Sequence, residues 1–122
     1  MQITQAESIV MQELWRTGEA SAESLIEAVG PSQNWHESTI KTLLSRLVKK
    51  GAIAAERDGK RFVYRPVLKQ DAWRIEESRG LLDRLFGGKL APLVAHFGEQ
   101  GQLSDDDIAA LKKVIEEIDR ER

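Results

Sequence analysis

The period of the apolar residues changes twice along this chain, and the order of those changes restricts the fold more than any single motif. Up to Lys50 the apolar positions recur at helical spacing. From Ala52 to Arg65 they fall in two short strand-like runs, and from Gln70 the helical spacing returns. Thr4 to Arg16 reads as a helix. Thr4 and Glu7 form a T-x-x-E capping box, Ile9, Val10 and Leu14 line one face with Ala6 and Met11 at its flank, and Gly18 stands where a C-terminal glycine belongs. A second, short helix follows, capped by Ser21 and expected to stop at Gly30-Pro31. The third runs from about Glu37 to Lys50, with Ile40, Leu43, Leu44, Leu47 and Val48 on one side, and Gly51 ends it.

The runs Ala52–Arg57 and Arg61–Arg65 flank Asp58-Gly59-Lys60, a local hairpin signal, and Pro66 ends the second run. Beyond it, Ala72, Ile75, Leu82 and Phe86 share a helical stripe with Leu81 and Leu85 beside it, and Gly87-Gly88 interrupts the chain. A short apolar helix covers Leu90 to Phe97, with Pro92 in its first turn, and Gly98 and Gly101 bracket a loop. Ser104 and the acids Asp105 to Asp107 open the last helix, whose Ile108, Leu111, Ile115 and Ile118 recur at helical spacing.

The order helix, helix, helix, hairpin predicts a winged helix over residues 1–68. Residues 69–122 form a helical region, and the whole is mainly α with a small β-hairpin. Pro66 to Gln70 is the expected boundary. A winged helix of that size has little spare surface, so the Ile108/Leu111/Ile115/Ile118 stripe points to a partner chain.

Charge is distributed to match. The formal net charge is only −2, yet residues 38–66 carry eight basic and two acidic side chains, whereas residues 1–37 carry one and six. A basic segment in an otherwise acidic protein implies one face made for a polyanion. At about 3.6 residues per turn, Ser38, Lys41, Thr42, Ser45 and Lys49 line up on the third helix away from its apolar stripe. Thr39 and Arg46 lie beside them, and no acid follows Glu37. Short hydroxyls allow close approach to base edges, and Lys and Arg reach guanine acceptors or phosphates. The hairpin tip adds Arg57, Lys60 and Arg61 where a wing meets the DNA backbone or minor groove. Double-stranded DNA is the expected partner. A winged helix used for protein–protein contact alone is the rival reading, and the basic third helix argues against it.

Other function classes find no support. Cysteine is absent, which removes disulfides, thiol catalysis and Cys-ligated metal. His36 and His96 are far apart with no acidic partner at ligand spacing, so neither a metal site nor a cofactor is expected. There is no nucleophile–base pairing and no phosphate loop, which argues against an enzyme. Trp15 and Trp35 read as core or rim aromatics, and Trp73 as a residue of the C-terminal helical region, opposite Ile75. No apolar run approaches the ~20 residues of a membrane span, and Met1 to Glu7 is neither basic nor apolar enough for a secretory signal. The expected location is the cytoplasm, with no membrane insertion.

Three segments carry a resemblance to the penicillinase-repressor and methicillin-resistance-repressor family. They are Thr39-Ile-Lys-Thr-Leu-Leu-Ser-Arg-Leu-Val-Lys-Lys-Gly51, Arg61-Phe-Val-Tyr-Arg-Pro66, and Leu82-Asp-Arg-Leu-Phe-Gly-Gly88 on to Phe97. Ser104 to Leu111 is similar as well. The resemblance implies a homodimeric winged-helix repressor on an inverted-repeat operator. Lys41, Thr42 and Arg46 would read the operator, the wing bases would hold phosphate, and the C-terminal helices, with Ile75, Leu82, Phe86, Leu111, Ile115 and Ile118, would dimerise. Copper-responsive members of the family carry a C-terminal cysteine cluster, which this chain lacks. In β-lactam-responsive members a membrane sensor-protease pathway triggers a cut before a phenylalanine that corresponds to Phe97. The family pattern has asparagine before it, and this sequence has His96.

Overall fold

The computed structural model describes residues Met1–Arg122. The chain divides into two compact units, Met1–Ile75 and Glu76–Arg122.

The first unit contains α1 (Gln5–Thr17), β1 (Ala20–Ser21), α2 (Ala22–Gln33), α3 (Glu37–Lys50), β2 (Ile53–Asp58) and β3 (Arg61–Pro66). It begins with the capping box the sequence predicts. The Thr4 hydroxyl accepts from the Glu7 N–H, and the Glu7 carboxylate accepts from the Thr4 N–H at 2.8 Å. Gly18, at φ +85°, ends α1, because its left-handed φ is one that residues with a Cβ rarely adopt.

The apolar faces of α1, α2 and α3 meet in one core. It contains Val10, Met11 and Leu14, then Leu25 and Val29, then Ile40, Leu43, Leu44 and Leu47, closed below by Ala52 and Ile53. Each fully buried side chain of this kind contributes about 1.5–3 kcal/mol. Val48 belongs to the same apolar run but stays 39% exposed. Eight positions on from Ile40 it has rotated about 80° off the buried meridian.

Three local expectations are corrected. First, α2 does not stop at Gly30-Pro31. It continues to Gln33 and ends at Asn34, which takes a left-handed φ of +57°. Pro31 has no N–H to donate, but its fixed φ is compatible with helical backbone; the N–H groups of Asn34 and Trp35 then bond back to the Gly30 carbonyl. Second, the hairpin has company. Ala20 and Ser21 form a two-residue strand against Tyr64 and Val63, giving an antiparallel sheet in the order β1-β3-β2. Third, Asp58 pairs with Arg61, so the connecting residues are Gly59 and Lys60, and Gly59 alone takes positive φ (+67°). Glycine at the first central position is the requirement of a type II′ turn.

The first unit also reaches past Pro66–Gln70 into the first turns of α4 (Gln70–Phe86). Trp73 packs on the core rather than serving the C-terminal helices, with its ring centroid 5.3 Å from that of Trp15. The Trp15 indole N–H donates to the Leu68 carbonyl at 2.8 Å, so the connection after β3 is tied to α1.

The second unit holds the rest of α4, α5 (Leu90–Glu99) and α6 (Asp105–Arg120). Gly98, expected in a loop, lies inside α5, and Gly101 (φ +69°) makes the turn. α6 starts on a second capping box, Ser104 with Asp107. No helix is long and apolar enough to cross a membrane.

Candidate nucleic-acid interface

α3 presents two opposed faces. Ile40, Leu43, Leu44 and Leu47 are buried, while Ser38, Lys41, Thr42, Ser45, Arg46 and Lys49 are exposed and Thr39 is half-buried. Ser38, Thr39, Thr42 and Arg46 line a shallow depression of about 240 Å³ floored by Leu43. The Thr42 hydroxyl donates to the Ser38 carbonyl at 2.9 Å, so its proton stays on the helix and its oxygen remains an acceptor outward. His36 occupies the N-cap position and makes no side-chain cap bond.

The eight cations of residues 38–66 are not equivalent. Arg46, Lys49 and Lys60 are exposed with no acidic side chain within ion-pair distance. Lys41 is bonded to Glu37 one turn back, at 2.6 Å. The hydrogen bond, and then the charge attraction, lowers the Glu37 carboxyl and raises the Lys41 ammonium. Both side chains stay open to solvent, and such a pair is worth little and exchanges readily for a stronger anion. Arg61 stands 4.0 Å from Asp58 across the turn. Arg57 lies over the Phe62 ring at 5.8 Å and donates to the Gly59 carbonyl. Arg65 pairs with Glu56 along the sheet. Lys50 stays partly open to solvent but is paired, its ammonium 2.5 Å from the buried Glu7 carboxylate.

The residues expected to bind DNA are thus brought to one helix face and one hairpin tip of the first unit. Sequence reasoning missed Glu7 as a partner of that helix. Its capping role was readable from the T-x-x-E spacing, but nothing local links it to a lysine 43 positions away.

The residues expected to dimerise lie mainly in the second unit, where α5 and α6 contain no buried residue. Leu82, Phe86 and Leu111 are half-buried, whereas Ile115 and Ile118 are 62% and 56% exposed. Ile75, at the end of the first unit, is also exposed. Leu93, Val94, Phe97, Leu103, Leu111 and Val114 line an apolar groove of about 510 Å³. His96 and Phe97 sit within α5, both exposed, with the His96 ring 6.4 Å from that of Phe86.

Three helices around one core, a small antiparallel sheet and a basic face on α3 define a winged-helix DNA-binding protein. A family profile described as penicillinase repressor matches residues 3–117. The penicillinase repressor of Bacillus licheniformis is 34% identical over 116 residues, 95% of this chain and 91% of the relative. The methicillin resistance regulatory protein MecI of Mammaliicoccus sciuri is 32% identical over 93% of both chains. This chain belongs to the penicillinase repressor family. Among solved structures, the DNA-binding domain of the repressor BlaI superposes with a TM-score of 0.55 at 34% identity, covering 58% of this chain and 87% of that domain. The monomeric form of Bacillus licheniformis BlaI in complex with the blaP half-operator gives 0.54 at 33% identity, over 59% and 88%.

Proposed function

We propose that this protein is a homodimeric transcriptional repressor. Each chain lays α3 in the major groove of one half of an inverted-repeat operator and sets its wing on the flanking backbone. The observation that carries this reading is the exposed face of α3, which offers hydroxyls and cations and no acid beyond Glu37. The complex of monomeric BlaI with a half-operator supports the same division, one chain to one half-site.

Within that interface Arg46 is the base reader, beside the Ser38–Thr42 depression, and Lys60 is a backbone contact at the wing tip. Arg46→Ala is expected to weaken binding to the preferred site by about 1–3 kcal/mol and to relax its specificity. Lys60→Ala is expected to weaken preferred and random duplexes by similar factors and to reduce the salt slope by about one. Titration of both variants on both duplexes checks this. Identical behaviour of the two would overturn the division between reading and holding.

The exposed apolar side chains of α6 support dimerisation by the second unit. Release of repression fits a cut between His96 and Phe97, reached through a membrane sensor pathway of the β-lactam type. A protease needs extended backbone, and α5 is helical there. With no buried residue and no side-chain N-cap bond, α5 opens locally at low cost. Under induction a fragment ending at His96 is expected by mass spectrometry, and Phe97→Asp is expected to abolish it. Loss of repression with every chain intact would overturn this mode of release.

A further inference from the structure

We propose that Glu7 is a positioning residue for the DNA interface: it holds the Lys50 ammonium on the N-terminal turn, so that the last cation of α3 anchors the recognition helix instead of meeting phosphate. The proposal rests on the DNA-binding reading of α3 given above.

Glu7 lies in the first turn of α1, and its side chain has no solvent exposure. Its Oε1 accepts from the Thr4 N–H at 2.8 Å and from Lys50 Nζ at 2.5 Å. Lys50 Nζ donates in addition to the Gln2 carbonyl at 2.9 Å. Lys50 is the last residue of α3. One ammonium therefore joins three places in the chain: the segment before α1, the first turn of α1 and the end of the recognition helix. Ile3, packed into the core between Gln2 and Thr4, keeps that segment in place.

The second carboxylate oxygen of Glu7, Oε2, is buried with no hydrogen-bond partner. A buried carboxylate so sparsely solvated is retained only beside a cation. Burial pushes the Glu7 carboxyl up. The hydrogen bonds from Lys50 and Thr4 outweigh that and leave it below its ordinary value, so it is ionised at neutral pH and Lys50 is held.

Lys49 and Lys50 thus divide the work of a sequence that reads as a single basic pair. Lys49 is exposed and without an acidic partner. On DNA it displaces condensed counterions and adds to the salt dependence of binding. Lys50 is already neutralised by Glu7, so it adds nothing. The positioning is consequential because α3 ends at Lys50 and carries the reading face; the tie fixes that end against α1.

The test is the slope of log affinity against log salt concentration for the full chain on a random-sequence duplex. Lys49→Ala is expected to lower the slope by about one. The double variant Glu7→Gln/Lys50→Met removes the pair without stranding a charge, and glutamine still completes the capping box; its slope is expected to equal the parent's. Glu7→Gln alone frees the ammonium and is expected to steepen the slope by up to about one. A double variant whose slope falls as far as that of Lys49→Ala would overturn the proposal, as would an unchanged slope in a folded Glu7→Gln. If Glu7→Gln does not fold, the double variant decides alone. A parent chain with no salt-dependent binding would instead overturn the DNA-binding reading itself.

Discussion

A chain with Leu111 and Ile115 both replaced by glutamate is expected to lose a factor of about 10²–10⁴ in affinity for a duplex carrying two half-sites. On an isolated half-site its affinity is expected to change little. The reason is that a single recognition helix and wing make few base contacts. Linking two copies converts the second engagement into an intramolecular event, and a two-fold dimer fixes the separation of the half-sites. In the second unit α5 and α6 have no buried residue, and Val114, Ile115 and Ile118 are each at least half exposed. Four charges introduced at Leu111 and Ile115 of a dimer would oppose burial of that face. Sedimentation of both chains, with titration onto full and half sites taken from DNA upstream of the protein's own gene, measures the effect. A parent chain that is monomeric at micromolar concentration, or a charged variant that keeps the parent's full-site affinity, would exclude dimerisation through this surface.

Leu44→Ala is expected to cost about 2–5 kcal/mol. Leu44 is 1% exposed at the centre of the first unit's core, where α3 meets α1 and α2. The lost side chain would leave a cavity that three packed helices can close only in part. For a unit of this size about 1 kcal/mol corresponds to roughly 4–8 °C in Tm, so the midpoint should fall by roughly 8–40 °C. Val48→Ala on the same helix is the control. At 39% exposure its loss should lie within about 1 kcal/mol. Calorimetry or thermal circular dichroism on the two variants distinguishes them. Equal midpoints would mean that the buried face of α3 has been assigned to the wrong residues.

What could be read from the sequence was whatever acts over one or two turns. Thr4 with Glu7, Ser21, and Ser104 with Asp107 announce their helices because a cap and its N–H lie three residues apart. Gly51 and the Gly87-Gly88 break are local for the same reason. Arg46 and its hydroxyl neighbours follow from helical spacing alone. The strand at Ala20–Ser21 was not legible, since two residues carry no alternation and the partners, Val63 and Tyr64, are distant in sequence. Pro31 signals a stop, yet α2 continues for two residues because the fixed φ of proline is itself helical and only one N–H is forfeited. By sequence position alone Trp73 belongs with the C-terminal helices, since it lies on α4. Only the fold brings it to Trp15. The pairing of Lys50 is illegible for a like reason: its partner, Glu7, lies at the far end of the unit in sequence.

The central claim is that α3 and the wing form the DNA-binding surface. Amide NMR spectra of the full chain, recorded while a duplex from upstream of its own gene is added at low salt, test it most directly. The predicted result is a set of shifts confined to residues 36–50 and 57–61, reversed as salt is raised and weakened most by Arg46→Ala. Shifts centred on α2 or α6, or a spectrum unaltered by DNA, would contradict it.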